Sequence, residues 1–139
     1  MRYYLDTNIL IFILQNEKDN IHFDIKEILA DYTNTLLVSS IVMQELFLLF
    51  RIGKLSGKTS YKNESDYISA LKNLNIKIVF FNEHHFSEYS KLQIADSHKD
   101  MNDHLIISQA MSDKIPLISS DGKFKEYIPQ GLDFVFNKR

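Results

Sequence analysis

Residues 36–50 read LLVSSIVMQELFLLF, and this stretch predicts a strand followed directly by a helix. The apolar run at residues 36–38 has the length of a short buried strand. Ser39 and Ser40 come next, and serine is a preferred N-cap because its hydroxyl accepts a free backbone N–H of the first helical turn. We therefore expect a strongly apolar helix that begins at these serines and ends near Phe50.

The same alternation continues on both sides of this stretch. Further strands are predicted at residues 3–5, 77–81, 116–119 and 133–136, and further helices at residues 8–15, 21–31, 66–74, 83–93 and 102–111. Residues 51–62 contain Gly53 and Gly57 and are expected to include a loop. Strands that alternate with helices predict an α/β domain with a mainly parallel sheet. Such sheets bind ligands beyond the carboxyl ends of their strands, so polar residues that directly follow strands are the first candidates.

Length and composition limit the classes of protein to consider. The 139 residues predict a single domain spanning residues 1–139, and 45% hydrophobic with 24% charged residues is typical of an ordered globular chain. The absence of cysteine excludes disulfides, thiolate zinc sites and iron–sulfur clusters. A net charge of -2 argues against phosphate binding over the whole surface but is compatible with a local basic patch.

The chain contains no apolar run of 18 or more residues, so we expect no membrane span. Its acidic sixth residue is unlike the apolar core of a secretory signal. Together these features predict a cytoplasmic protein.

Three aspartates occupy positions where α/β proteins build sites, although each also has an ordinary structural interpretation. Asp6 follows the first predicted strand and Asp121 follows the strand at residues 116–119, but Asp6 could cap a helix and Asp121 could form a turn. The helix pattern after Asp121 favours a strand-to-helix turn over a hairpin. Asp103 lies in the first turn of a helix, where the helix dipole stabilises an acid, and Asp100 could cap the same helix.

Glu45 is the fourth acid, and it lies inside the most apolar helix of the chain. Only Gln44 is also polar between residues 41 and 50, so Glu45 either occupies a narrow solvent-facing stripe or projects into a polar cleft. Carboxylates brought within about 4 Å of one another repel by several kcal/mol per pair, whereas Mg²⁺ and Mn²⁺ require such oxygen clusters. The sequence leaves both interpretations open.

Four segments in a fixed order resemble the PIN-domain family, most closely the VapC-type toxins of bacterial toxin–antitoxin pairs. They are LDTN at residues 5–8, SSIVMQEL at 39–46, DHLIISQA at 103–110 and LISSDGKF at 117–124. The similarity extends over essentially the whole chain. It implies a three-layer α/β/α fold and a metal-dependent endoribonuclease that hydrolyses RNA phosphodiester bonds with Mg²⁺ or Mn²⁺. It also implies a type II toxin with an RNA substrate and a cognate antitoxin.

The resemblance assigns site residues position by position. The four acids implied to bind metal and catalyse hydrolysis are Asp6, Glu45, Asp103 and Asp121, and the supporting positions are Asn8, Asp100 and Ser119. Asp6 and Asp103 are expected to bind the metal directly, while the other two acids bind a second metal or orient water. Asp100 is an additional acid, either supporting the site or serving as an alternative ligand.

The chain departs from the family pattern at three positions without losing one of the four acids. Ser119 stands where threonine is frequent, Ser120 where a basic residue is common, and His104 where alanine or arginine is more usual. A hydroxyl is retained at Ser119. The five histidines show no zinc-binding spacing, so we expect them at the surface or as caps.

Basic and apolar residues suggest where partners bind. Residues 46–63 contain no acid, and they carry a basic run with an aromatic neighbour that could stack on a base: Arg51, Lys54, Lys58, Lys62 and Tyr61. A solvated loop is the alternative interpretation. Further phosphate contacts are expected from Lys123, Lys125, Lys138 and Arg139.

The apolar excess on the helix at residues 41–50 has its own interpretation. Phe47, Leu48 and Phe50 cannot all face one core, which predicts a homodimer seam or an antitoxin groove. Burial on both sides inside the α/β core is the alternative.

Two other functions compete with the nuclease. One is a catalytically silent PIN-like module that binds RNA or protein, although retention of four acids argues against it. The other is a flavodoxin-like phosphoacceptor regulator. That interpretation lacks paired acids after the first strand and a strand-end lysine near Pro116.

Overall fold

A five-stranded parallel sheet organises residues 1–55 and 61–138, which the computed structural model describes. Its strands are β1 (Arg2–Leu5), β2 (Thr35–Ser39), β3 (Ile76–Val79), β4 (Leu117–Ser119) and β5 (Phe134–Phe136). They lie in the order β3-β2-β1-β4-β5, and each neighbouring pair is parallel. The predicted parallel sheet is confirmed. The flavodoxin-like interpretation is wrong, because that fold has the order 2-1-3-4-5.

Helices flank this sheet and complete the predicted three-layer α/β/α architecture. The α-helices are α1 (Thr7–Leu14), α2 (Phe23–Ala30), α3 (Ser40–Arg51), α4 (Glu64–Asn73), α5 (Glu83–Lys91) and α6 (Met101–Asp113). Two 3₁₀ segments, Lys18–Asn20 and Gly122–Gln130, lie before α2 and after β4. The segment after β4 confirms the strand-to-helix turn at Asp121.

Local capping explains where individual helices begin. α2 begins later than predicted because the ring of His22 accepts the backbone N–H of Asp24 and so ends the extended chain there. α3 begins as predicted, with the Ser39 hydroxyl accepting the N–H of Ile41 at 3.0 Å. The same hydroxyl donates to the buried amide oxygen of Gln109, which ties the start of α3 to α6.

One side of α3 enters the core and the other does not. Its buried residues are Ile41, Val42, Met43 and Leu46. Leu48 is 57% exposed, whereas Phe47 and Phe50 are partly buried against the core. Complete burial of the helix on both sides is therefore wrong, because Leu48 is exposed and Phe50 is only partly covered, by the ring of Tyr67 on α4.

The strand order changes direction between β1 and β4, and this position builds a crevice at their carboxyl ends. The ladder continues past β1 because the N–H of Asp6 donates to the carbonyl of Ile118 at 2.9 Å. The residues that follow β1 and β4 consequently lie side by side. Among the described residues, no helix is long and apolar enough to cross a membrane.

Candidate functional site

Asp6 lies between the end of β1 and the start of α1, so strand and helix both fix its position. It is 4% exposed, and its carboxylate accepts the backbone N–H of Thr7 at 2.8 Å. The hydroxyl of Ser119 donates to it at 2.6 Å and the side-chain amide of Asn8 at 3.2 Å. The capping interpretation of Asp6 is confirmed. A helix cap alone, however, does not require a buried carboxylate that also accepts from a side chain on a second strand, Ser119.

Glu45 is partly exposed, and its side chain reaches from α3 to the start of α1. The hydroxyl of Thr7 donates to its Oε1 at 2.8 Å, and Asn102 is a second hydrogen-bond partner. Burial raises the pKa of Glu45, an effect opposed by the Thr7 hydrogen bond and reinforced by the negative charge of Asp100. Of the two interpretations left open by the sequence, the structure supports the cleft.

Asp103 lies in the first turn of α6, with a partner that the sequence analysis did not identify. Asp100 caps this helix as predicted, because its carboxylate accepts the backbone N–H of Asp103 at 3.1 Å. The side chain of Asp103 is 16% exposed, and its Oδ2 lies 2.8 Å from Nε2 of His98. His98 thus contacts one of the four predicted acids directly.

The loop after β4 brings the last predicted acid to the same edge of the sheet. The backbone N–H of Asp121 donates to the Ser119 hydroxyl at 3.0 Å, and its carboxylate accepts the N–H of Lys123 at 3.0 Å. Asn8 joins this loop to α1, since its side-chain oxygen accepts the N–H of Ser120 at 3.1 Å. The predicted supporting residues Asn8 and Ser119 therefore connect the two halves of the crevice.

Burial and neighbouring negative charge raise the pKa of two of the acids, Asp6 and Asp103. Burial raises the pKa of Asp6 to about 7, and the nearby charges of Asp103 and Glu45 add to the rise against the Ser119 hydrogen bond. Burial likewise raises the pKa of Asp103 to about 7, with further contributions from the charges of Asp100, Glu45 and Asp121. Lys123 opposes this second rise, by less than each of the three acids promotes it.

This donor set fits a divalent cation. The ligand atoms are mainly carboxylate oxygens, which Mg²⁺ and Mn²⁺ prefer, and a cation would relieve the repulsion that raises these pKa values. One ligand atom from each of His98, Asp103 and Asp121 lies within 4.8 Å of the other two. We conclude that the crevice is a candidate metal centre with an acidic lining.

The expectation that the histidines are surface or capping residues is only partly right. His22 caps α2 and His84 is exposed, as predicted, and His85 also caps α5 although it is buried. His98 and His104 are both 6% exposed and share the hydroxyl of Tyr127, at 3.0 and 3.1 Å. The spacing rules for zinc sites contain no signal for such a cluster, because it is assembled from a loop, α6 and the 3₁₀ segment.

The predicted basic run is only partly available for RNA. Arg51 pairs with Glu64 at 2.7 Å, and the ring of Tyr61 packs against Tyr67 with 4.7 Å between ring centroids. Lys54 and Lys62 are exposed, as are Lys123, Lys125 and Lys138 near the other end of the chain. Gly57, Lys58 and Arg139 lie outside the described residues.

An apolar groove of about 600 Å³ lies beside α3. It is lined by residues of α3, α4, β3 and the start of α5, including Phe47, Phe80 and Phe86. Phe80 is 72% exposed and Phe86 57% exposed, so the groove presents aromatic surface to solvent. We call it the phenylalanine groove, and it includes part of the face of α3 that the core leaves uncovered.

Comparisons with solved structures and with a family profile agree with this geometry. No curated protein matches the chain. A chain of the VapBC2 complex from Rickettsia felis, crystallised on a DNA fragment from its promoter, is 27% identical over 99% of both chains, with a TM-score of 0.65. VapBC-1 from nontypeable Haemophilus influenzae is 24% identical over 100% of both chains, with a TM-score of 0.66.

A toxin–antitoxin complex from Klebsiella pneumoniae is also similar, with 19% identity, a TM-score of 0.61 and coverage of 96% of this chain and 95% of that one. Several of the structural neighbours are thus chains of VapBC toxin–antitoxin systems. The family profile described as PIN domain matches residues 3–128, nearly the whole chain. With its parallel sheet and acidic crevice, this chain belongs to the PIN-domain family.

Proposed function

We propose that the protein is a metal-dependent endoribonuclease and the toxin of a type II toxin–antitoxin pair. The observation that carries the proposal is the crevice at the carboxyl ends of β1 and β4. Asp6 is buried there under the Ser119 hydroxyl, Asp103 and Asp121 place ligand atoms within 4.8 Å of one another, and Glu45 reaches the Thr7 hydroxyl from α3. A cluster of this kind destabilises a fold when it is ionised without a cation. Hydrolysis of phosphodiester bonds is a reaction that uses such a cluster of acids together with a cation.

The roles of the acids follow from their contacts. We assign Asp6 and Asp103 to hold Mg²⁺ or Mn²⁺, and Glu45 and Asp121 to hold a second cation or to orient water. When bound, the cation supplies Lewis acidity that stabilises charge on the phosphoryl oxygens and makes water more acidic. Glu45 is suited to accept a proton from water, because burial raises its pKa and Thr7 fixes its Oε1.

Residues around the acids supply binding and alignment. The donors from Ser119, Asn8 and the Thr7 backbone hold the carboxylate of Asp6 in one orientation. Lys123 is exposed two residues after Asp121, its charge lowers the pKa of Asp103, and we assign it to contact a phosphate of the substrate. We assign RNA as the substrate and the cytoplasm as the place of action.

We propose two protein partners, a cognate antitoxin and a second copy of this chain. Solved neighbours are chains of toxin–antitoxin complexes, which supports the antitoxin. The phenylalanine groove supports self-association, because exposed aromatic patches of this kind mark protein interfaces.

The decisive experiment compares RNA cleavage by the parent with cleavage by Asp103→Asn, each with Mn²⁺, with Mg²⁺ and with chelator. Asparagine keeps the size of the side chain and an oxygen for His98, but removes the charge. We expect metal-dependent cleavage by the parent and a loss of at least about 100-fold in the variant, consistent with removal of a group that stabilises the transition state.

Asp31→Asn is the matched control. Asp31 is an exposed acid before β2, at the sheet edge opposite the crevice, and its turn to Thr33 tolerates asparagine. Equal activity of the parent and Asp103→Asn would contradict the proposed site. Metal binding without cleavage of any structured RNA would instead favour the silent binding module.

A further inference from the structure

His98 and Tyr127 form a buried polar connection to the crevice that the four acids do not explain. His98 is 6% exposed and Tyr127 is fully buried. Nε2 of His98 lies 2.8 Å from Oδ2 of Asp103, and Nδ1 lies 3.0 Å from the Tyr127 hydroxyl. On its other side, the hydroxyl lies 3.1 Å from Nε2 of His104 and accepts the backbone N–H of Ala95 at 3.4 Å.

The number of hydrogens available decides which atom is the donor in each of these hydrogen bonds. Above pH 7, where Asp103 is ionised, its carboxylate can only accept, so Nε2 of His98 carries the hydrogen that reaches Asp103. If this is the only ring hydrogen of His98, Nδ1 is an acceptor and takes the single hydrogen of the Tyr127 hydroxyl. That hydroxyl has no further hydrogen to give, so Nε2 of His104 must donate to it.

We propose that His98 is a positioning residue for Asp103 and that Tyr127 and His104 support the tautomer that this role requires. The hydrogen bond from His98 occupies Oδ2 and leaves the other oxygen of Asp103 for the cation. Hydrogen-bond partners behind a ligating carboxylate commonly contribute 10–100-fold to metal affinity.

The alternative use of His98 is as a direct metal ligand, since one of its ring nitrogens lies within 4.8 Å of oxygens from Asp103 and Asp121, and Nε2 is the one that faces Asp103. That use requires a lone pair on Nε2 and therefore a hydrogen on Nδ1. The hydroxyl of Tyr127 would then donate to Nε2 of His104, which reverses the direction of every hydrogen in the chain. In the positioning arrangement both histidines carry their hydrogen on Nε2, and in the ligand arrangement both carry it on Nδ1. Spectroscopy of the ring nitrogens can distinguish the two arrangements.

The first measurement is the ring ¹⁵N spectrum of the metal-free parent at pH 8.5, with His98 and His104 assigned by substitution. The positioning role predicts that both rings carry their hydrogen on Nε2. Hydrogen on Nδ1 in both rings would overturn it. In Tyr127→Phe, His98 should keep its hydrogen on Nε2 through Asp103, whereas His104 loses the hydroxyl that accepts from it and should show a mixture of the two forms.

The second measurement is Mn²⁺ affinity, by calorimetry or by electron paramagnetic resonance of free Mn²⁺, for His98→Gln and His98→Asn. The amide nitrogen of glutamine reaches the place of Nε2 and keeps a donor for Asp103, whereas that of asparagine is one methylene too short. We expect affinity within about 3-fold of the parent for His98→Gln and a loss of roughly 10–100-fold for His98→Asn. The melting temperatures of the two variants measure any structural effect separately.

This proposal rests on the proposed function only in sharing its cation site, and neither readout requires RNA cleavage. Mn²⁺ binding by the parent, with equal affinity in His98→Asn, would overturn the positioning role and leave the nuclease proposal intact. No Mn²⁺ binding by the parent would contradict the nuclease proposal and the positioning role together, whatever the tautomer.

Discussion

At the scale of single residues, Asp6 and Asp103 make stability depend on pH in a direction opposite to that of most surface acids. Both have a pKa of about 7 in the folded chain, whereas an ordinary aspartate has a value near 3.8. Between these values the folded state binds protons that the unfolded state has released. The two groups therefore contribute stability that is fully present below pH 4 and is lost as the pH rises through 7.

We predict that the metal-free parent has a lower melting temperature at pH 8 than at pH 5, and that Asp103→Asn shows a smaller difference. For a chain of this size, each kcal/mol lost lowers the melting temperature by about 2–4 °C. Added Mn²⁺ should raise the melting temperature more at pH 8 than at pH 5, because it binds the ionised acids. Scanning calorimetry in chelator and in Mn²⁺ provides the measurement.

Asp31→Asn serves as the control here too, since the hydrogen bonds from Thr33 lower the pKa of Asp31 and keep its titration outside this pH range. Its pH dependence should match that of the parent. If the melting temperature of Asp103→Asn depends on pH in the same way as those of the parent and Asp31→Asn, the pKa of Asp103 is not raised in the folded protein.

At the scale of elements, one serine connects the helix that carries Glu45 to the rest of the fold. Ser39 is buried, caps α3 and donates to the amide oxygen of Gln109 on α6. We predict that Ser39→Ala lowers the free energy of unfolding by about 2–4 kcal/mol. Loss of an N-cap contributes about 1 kcal/mol, and an unsatisfied buried amide contributes about 1–3 kcal/mol.

Urea denaturation of Ser39→Ala should be compared with that of Ser90→Ala. Ser90 is an exposed serine of α5 that donates only to the carbonyl of Ser87 among the described contacts, so its loss should change the free energy by less than about 0.5 kcal/mol. Equal effects of the two variants would show that the link from α3 to α6 contributes nothing.

The elements were predictable because their signals are local. The serines at residues 39 and 40, the apolar run before them and the alternation of strands with helices each act within a few residues. The start of α2 was missed because the cap there is a histidine, His22, whose ring replaces the serine or aspartate expected at such a position. Local signals could not predict that Arg51 would pair with Glu64, because α4 is a separate element.

At the scale of the whole molecule, the phenylalanine groove makes oligomeric state testable. We predict that the parent is a homodimer and that Phe80→Glu shifts it towards monomer, raising the dissociation constant by about 10-fold or more. A buried charge without a partner at such a seam is unfavourable, and 10-fold corresponds to about 1.4 kcal/mol. Sedimentation velocity over a range of concentrations measures the shift.

Tyr32→Glu is the matched control for this experiment. Tyr32 is an aromatic residue with 96% exposure, and it lies before β2 at the opposite edge of the sheet. That variant should remain a dimer. A monomeric parent would contradict the homodimer, and a dimeric Phe80→Glu would place the seam elsewhere on the surface.

The sequence by itself predicted the strands, most of the helices and the parallel sheet, and it marked four acids as candidates whose metal role is implied by the family resemblance. The elements were predictable because they depend on capping, apolar periodicity and strand ends, which are properties of contiguous residues. Only the tertiary structure decided that Glu45 accepts a hydrogen bond from the hydroxyl of Thr7. It also decided that His98 lies between Asp103 and Tyr127 and contacts both. The physical reason is that the burial of a side chain and its interactions with other charges depend on how separate elements pack. Local sequence patterns do not specify that packing.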